Sequence, residues 1–422
     1  MREAKAGLWT LVLAAVLTQT GLNLFRPVTS YKLLDLGADP VLIGFVTAAY
    51  ALLPLVIALP LGRLADRTLR LRHIMALGAL LLAAGGALMA GTASVALVFI
   101  GSVLLGLGHL LFTIAGQTSI ARFVPPEHLD RGFGYFTAAF SVGQLIGPLL
   151  AGAVLGGHAH AEQIALALWM GAGSAALAVV LLAAAAAVRS RRARGGGGAE
   201  APGAVNGGEA AEAETDPEAD AASAETAASP GRPSARAVLR VPGVRSQIFA
   251  SLALLVMIDL LTAYLPLVGE HAGVAPATIG LLLAARSLAS IASRVLLEPL
   301  ARRFSRNTLV TASALGAGVA LALPPLLMDH LWAAAVLMLL GGFFLGLGQP
   351  LSMSLVTQAV PASWRGTALA TRLMGNRLGQ VAFPAGAGLL AAPLGAAGPI
   401  WFSCAMLVGS GVELLARAAR RR

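Results

Sequence analysis

Gly37-Ala38-Asp39-Pro40-Val41-Leu42-Ile43-Gly44 is answered later in the chain by Gly273-Val274-Ala275-Pro276-Ala277-Thr278-Ile279-Gly280, 236 residues on (Gly37 to Gly273). The same offset carries Leu64-Ala65, Arg67 and Arg70 onto Leu300-Ala301, Arg303 and Arg306. It also carries Gly143-Gln144 and Pro148 onto Gly379-Gln380 and Pro384. Leu105-Gly106-Leu107-Gly108 matches Leu345-Gly346-Leu347-Gly348 with four more residues between them, as a short insertion would produce. The chain therefore reads as two copies of one unit.

Each copy is rich in runs long enough to cross a bilayer, which takes roughly 20 apolar residues at ~1.5 Å rise each. Such runs cover Leu8–Phe25, Val41–Leu61, His73–Ala90, Ala96–Ile120, Gly132–Gly156 and Ile164–Val188 in the first copy. In the second they cover Gln247–Val268, Thr278–Leu297, Thr308–Met328, Leu331–Thr357, Thr367–Leu390 and Ile400–Leu415. Six is an even number, so both copies enter the membrane in the same direction. The expected fold is an all-α integral membrane protein, with twelve transmembrane helices in two parallel, pseudo-symmetric six-helix bundles. Such pairs hold a substrate site between the halves near mid-membrane and work by rocking one half on the other.

Composition agrees. Of 422 residues 57% are hydrophobic and 12% charged, against about 45–50% and about 25% in soluble proteins. The single cysteine, Cys404, excludes a disulfide framework and a multi-cysteine metal site. The expected division is a first bundle over 1–188, a disordered cytoplasmic linker over 189–243, and a second bundle over 244–422. The linker reading rests on Gly195–Gly198 and the following Ala/Glu/Asp/Pro/Ser stretch with Glu209, Glu212, Glu214, Asp216, Glu218 and Asp220. Such a stretch cannot bury enough apolar surface to fold.

The net charge of +10 raises the question of nucleic acid, but the charges alternate with the spans. With both termini cytoplasmic, most of the 30 Lys and Arg residues fall in inner segments, including Arg63, Arg67, Arg70 and Arg72, Arg189 to Arg194, and Arg417 to Arg422. Only Arg26 and Lys32 are expected in outer loops. This is the positive-inside pattern. It places the chain in the plasma (inner) membrane as a multi-pass protein with no nucleic-acid partner. A Gly-x-x-x-x-Gly-Lys-Ser/Thr loop and His-Glu-x-x-His are both absent, and His158 and His160 are too few for a metal site. No enzyme activity, metal or cofactor is expected.

Between the second and third spans stands Gly62-Arg63-Leu64-Ala65-Asp66-Arg67-Thr68-Leu69-Arg70-Leu71-Arg72. It resembles the loop signature of the major facilitator superfamily, Gly-x-x-x-Asp-Arg-x-Gly-Arg-Arg. Gly62, Asp66, Arg67 and Arg70 match, while Leu69 replaces the second glycine and Leu71 interrupts the last basic pair. The resemblance implies that Asp66 engages the partner half when the cavity faces outward. Arg365, beside the start of the eleventh helix, and Arg372 join this expected conformational gate. The fifth span carries Gly134, Gly143, Gly147-Pro148 and Ala151-Gly152, which resembles the fifth-helix motif of the superfamily's antiporters. Small residues at this spacing let helix backbones approach closely. The fourth-helix arginine of many drug exporters is missing, with Ser102 near its place.

Ionisable groups inside a bilayer are costly and mark function by default. Asp259 is the one acid deep in a span, and Arg286 sits at a matching depth on the next helix. They are expected to face each other, as a proton-coupling pair or as a static buried ion pair. Polar stripes at helical spacing add Gln19, Asn23 and Arg26 on the first helix and His109, Thr113 and Gln117 on the fourth. Thr137, Ser141 and Gln144 follow on the fifth, Gln349, Ser352 and Ser354 on the tenth, and Arg372, Asn376 and Gln380 on the eleventh, with Arg377 on another face. The candidate proton and substrate residues are Asp259, Arg286, His109, Gln19, Asn23, Arg26, Gln117, Gln349, Asn376 and Arg377. Arg294 with Glu298, four apart, reads as a structural pair, and Glu413 as a partner for the basic tail.

The function these features imply is secondary transport of a small organic solute by alternating access, with proton antiport and efflux leading. Proton-coupled uptake of an organic anion and a non-transporting membrane sensor on the same fold remain open. The expected partners are a small-molecule substrate, protons and the lipid bilayer, around a monomeric protein.

Overall fold

The computed structural model describes residues 2–68, 70–123, 129–195, 234–361 and 364–419. The first half is built from α1 (Arg2–Asp35), α2 (Pro40–Arg67), α3 (Leu71–Ala90), α4 (Val95–Phe123), α5 (Leu129–Leu155) and α6 (Ala161–Gly195). A short α7 (Ala235–Arg240) leads into α8 (Val244–His271), α9 (Pro276–Val295), α10 (Leu297–Arg303) and α11 (Arg306–Ala322). The chain closes with α12 (Leu331–Gln358), α13 (Arg365–Leu394) and α14 (Gly398–Ala419). All helices except α7 and α10 are long enough to be spans, so the twelve expected runs each have a helix.

Eleven of these twelve are long and apolar enough to cross a bilayer. The exception, α13, has 30 residues and carries a polar face. That face points inward: Thr371, Arg372, Asn376 and Gln380 are buried, while Leu373, Met374 and Leu378 are exposed. A helix that lines a polar interior need not be apolar all round.

The repeated stretch that opens the sequence is a turn followed by a helix start. Gly37 has φ 72° and Gly273 φ 67°, a left-handed conformation that costs glycine little. Pro40 and Pro276 then begin α2 and α9, a position where the missing N–H is no loss. Asp39 caps α2 by accepting from the Leu42 N–H at 2.8 Å; its counterpart Ala275 has no side chain to do so.

The two halves pack alike. Helix α1 lies on α5 and α6, as α8 lies on α13 and α14. Helix α3 lies on α4 and α6, as α11 lies on α12 and α14, and the pairing of α2 with α4 is repeated by α9 with α12. The halves meet through α2 on α13, α5 on α9, and α1 on α8. The first two contacts exchange under the repeat, as a two-fold relation between parallel copies requires. Gly106 lets α4 approach the Tyr50 carbonyl, and Gly342 does the same for α12 at the Arg286 carbonyl. Both partners in that mirrored pair are 236 apart, so this contact needs no insertion of the kind that Leu345–Gly348 suggested.

The halves are joined tightly at the end of the bundle opposite the two termini, called here the far end. A Cβ on Gly44 would collide with the Pro384 carbonyl and come within 2.8 Å of Tyr264 Oη, and one on Gly388 would meet Val41 and Pro40. At the repeat-related positions, Gly280 meets Pro148 and Gly152, and Gly152 meets Ala277. Tyr264 Oη donates to the Pro40 carbonyl at 2.8 Å, and Ala277 N–H donates to the Gly156 carbonyl at 3.0 Å. Nearer the end that carries the termini, Gln117 on α4 is exposed.

Several expectations need correction. Helix α1 does not stop at Phe25 but runs through Pro27 to Asp35, so Arg26 and Lys32 are helical and not in an outer loop. Arg294 and Glu298 are not a pair. Helix α9 ends at Val295, the chain restarts as α10, Glu298 bonds Arg302 at 2.6 Å, and Arg294 donates to Ser141 of α5 at 3.0 Å. Of the expected linker, α6 reaches Gly195, and α7 places Val238 in a cluster with Val244, Ile248 and Val356. Residues 196–233 lie outside the described residues. Glu413 does hold the tail, bonding Arg417 at 2.8 Å.

Candidate substrate and coupling site

Half-way along α8, Asp259 is 7% exposed and faces the other half. Its partner is not Arg286. Arg26 Nη1 on α1 donates to Asp259 Oδ1 at 2.9 Å, and Gln380 Nε2 on α13 donates to Oδ2 at 2.7 Å. Arg377, one turn before Gln380, donates to its Oε1 at 3.0 Å. On the first-half side the Arg26 guanidinium lies 4.7 Å from the centre of the Tyr50 ring, and the Tyr50 hydroxyl is hydrogen-bonded to His109 Nδ1. One polar chain thus runs from α4 through α2 and α1, across the interface, to α8 and α13. A cavity of about 50 Å³ lies against it, lined by Arg26, Tyr50, Asp259 and Gln380 with the hydroxyl-bearing Thr47 and Thr262.

The ion pair carries a physical consequence. Both of its groups are largely withdrawn from water, so each depends on the other for compensation, and removal of one leaves an unpaired charge. Protonation of Asp259 would also end the pair, and it is the only tie of that strength between halves among the described residues.

Arg286 occupies the position 236 residues after Tyr50, as Asp259 does after Asn23. It is 5% exposed, donates to Ser287 Oγ at 3.0 Å, and its Nε has no partner. No carboxylate among the described residues forms an ion pair with it.

The second half holds a separate network. Gln349 Nε2 donates to the Ser251 carbonyl at 2.8 Å and Asn376 Nδ2 to Ser251 Oγ at 3.0 Å. Arg372 Nη2 donates to Gln349 Oε1 at 2.7 Å and to Ser352 Oγ at 3.1 Å. Arg372 therefore ties α13 to α12 inside one half. Arg70 is exposed just before α3. Asp66 and Arg67 fall in the last turn of α2 and Arg365 at the start of α13. Their side chains, with the surroundings of Gly62 and Gly134, lie outside the described residues.

The fifth-helix glycines are contact points. Gly143 packs on Gln19 and Thr20 and Gly147 on Asn23 and Leu24 of α1, while Pro148 and Gly152 meet α9 across the interface. Asn23 donates back to the Gln19 carbonyl at 2.8 Å. Tyr50 and the pairing role of Gln380 escaped the sequence reading. The repeat held a signal for the first, since Tyr50 is the counterpart of the singled-out Arg286.

The sequence profile described as Major Facilitator Superfamily matches residues 11–273 and 247–422. A tetracycline resistance protein, class H, from Pasteurella multocida is 28% identical over 145 residues, which is 34% of this chain and 36% of that protein. The chain thus matches little more than a third of that curated relative's length. Solved structures align over nearly the whole chain at low identity and are alike in fold. A D-xylose-proton symporter is 17% identical with a TM-score of 0.69, covering 96% of this chain and 97% of that one. A variant of the peptide transporter POT is 18% identical with a TM-score of 0.71, covering 98% and 94%. A bacterial homolog of the human lysosomal transporter Spinster, in an inward-facing and unoccupied conformation, is 16% identical with a TM-score of 0.67, covering 99% and 96%.

Proposed function

The chain belongs to the major facilitator superfamily, and on that premise we propose that it exports a small organic solute in exchange for protons, with Asp259 as the proton carrier. The observation that carries this reading is the Arg26–Asp259 pair at 2.9 Å, which joins the two halves through a group that can be neutralised. With Asp259 ionised, the pair and the far-end glycine contacts hold that end shut. Once the far end parts, a proton from that side neutralises Asp259 and keeps Arg26 free. Its loss at the opposite end restores the pair and locks the far end again, so protons run inward against the exported solute. The fifth-helix glycines and the partial likeness to a resistance protein favour export.

In this reading both termini are cytoplasmic, the far end faces outward, the protein works as a monomer in the plasma membrane, and the acidic stretch between the halves is a tether. Asp66 stays assigned to the inner gate on the strength of its motif.

Arg286 favours a second reading. A buried cation with no carboxylate partner among the described residues would suit an organic anion taken up together with a proton. Purified protein in proteoliposomes with an imposed pH gradient separates the two. Solute moving against the proton flow supports export, and solute moving with it supports uptake. Asp259→Asn is expected to abolish the dependence on the pH gradient in protein that still inserts and folds, with a lower unfolding midpoint because Arg26 loses its counter-charge. Full gradient dependence in that variant would remove Asp259 from the proton role.

A further inference from the structure

Four shielded polar atoms in the first half have no hydrogen-bond partner among the described residues: Tyr31 Oη towards the far end of α1, and three nearer mid-bundle, Gln19 Nε2 on α1 and His109 Nε2 and Thr113 Oγ1 on α4. Gln19 and His109 flank one stretch of α5. The His109 ring centre is 5.8 Å from that of Phe140. Gly143, three residues further along α5, receives Gln19 against its backbone. Thr113 stands one turn from His109 on the same face of α4. Gln19 is only 2% exposed. Phe140 and Phe136, with ring centres 5.0 Å apart, make an apolar wall beside this group.

His109 Nδ1 is the side-chain partner of the Tyr50 hydroxyl. If the hydroxyl donates to it, no proton is stranded, and Nε2 then carries the ring hydrogen. What remains unmet is an amide NH2, an imidazole N–H and a hydroxyl. All three can donate. Burying a donor without an acceptor is costly, and native structures seldom tolerate several together. In the second half the polar groups on the corresponding helices, Ser251, Gln349 and Asn376, bond to one another instead.

We propose that Gln19, His109 and Thr113 form a donor subsite that binds a carboxylate of the transported solute, with the Phe136–Phe140 wall against its apolar part. The subsite rests on the transport reading above and deepens it by naming the chemistry of the cargo. It leaves Asp259 and Arg26 to coupling, so recognition and proton movement sit on different residues, joined through the Tyr50–His109 hydrogen bond.

The test needs no knowledge of the natural solute. The full chain in lipid nanodiscs, with histidine labelled by 15N and the His109 signal assigned through His109→Gln, is titrated with sodium acetate as a two-oxygen probe. A tetramethylammonium chloride series of equal ionic strength is the control. The expected result is a saturable shift of the His109 side-chain signal with half-saturation at about 10–100 mM, absent in the control and lost in Gln19→Met. In the probe-free protein, Gln19→Met and Thr113→Val are each expected to raise the unfolding midpoint by about 2 °C, because they remove a stranded donor. An unmoved His109 signal up to about 0.5 M acetate overturns the subsite. So does a fall in the midpoint in both variants, which would mean that structural partners such as buried water already satisfy these groups. Flux is not part of this measurement. Proton-coupled transport without acetate binding would sink the subsite alone, and acetate binding without any transport would sink the export reading alone.

Discussion

Gly44→Ala should open the far end. A Cβ at this position would overlap the Pro384 carbonyl of α13 and lie 2.8 Å from Tyr264 Oη and 3.4 Å from the Gly388 Cα. Two of these three neighbours are backbone, and Tyr264 is fully buried and bonded to Pro40, so none can swing aside. Helices α2 and α13 must separate locally for the methyl to fit. When the far end is open the methyl faces free space and costs nothing, so the substitution acts on one state alone. Overpacking of this kind costs about 1–3 kcal/mol, which changes the ratio of open to closed forms by about 5- to 160-fold. A reporter cysteine at Thr47, which lines the cavity just inside the seal, placed in a Cys404→Ala background, reads the change. Membrane-impermeant thiol reagent added on the far side should label it faster in Gly44→Ala by a factor within that range. Unchanged labelling in a well-folded variant would refute the reasoning, because the contact would then not be what keeps the halves together.

Two further outcomes follow from the site and its gate. Arg26→Leu leaves the Asp259 carboxylate buried with Gln380 alone and should lower stability by about 3–5 kcal/mol, whereas Arg26→Leu with Asp259→Leu should recover most of it; unfolding midpoints in detergent report both, and equal losses would mean the pair is not coupled. Asp66→Asn should keep solute affinity while slowing turnover strongly, since the motif places it at a gate, and weaker binding at unchanged turnover in a proteoliposome flux assay would contradict that.

Much of the fold was legible because a membrane imposes it. Twelve apolar runs, the basic loops and the 236-residue repeat each state a physical necessity, and the packing of α1 to α6 mirrors that of α8 to α14. The site was legible in its residues and not in its pairings. The first run was cut at Phe25 because Arg26 looked like the end of an apolar stretch. The helix continues to Asp35, and that placed Arg26 beside the acid. Depth alone made Arg286 the expected partner of Asp259, but depth says nothing of which way a helix face turns or of which half stands opposite. Arg294 and Glu298 failed for a local reason: i, i+4 spacing means one face only while the helix persists, and α9 ends between them. The spacing of the α5 glycines does not say which helix each one meets; in the structure Gly143 and Gly147 pack on α1 and Gly152 on the other half.

The position of the Arg26–Asp259 pair along the bundle makes it a strain gauge for the seal. Helix α8 has 28 residues and is about 42 Å long, with Asp259 a little past its middle. If the halves pivot as stiff bodies about their terminal ends, the level of Asp259 travels slightly more than half as far as the far tips do. A gap of about 4 Å between the tips would therefore stretch the 2.9 Å contact by about 2 Å, beyond any hydrogen bond. The lever ratio forbids the tips to open by more than a fraction of that while the pair stays intact. Loss of the Arg26–Asp259 contact and a gap forming nearly 20 Å away are then a single mechanical event, with the helices themselves as the linkage.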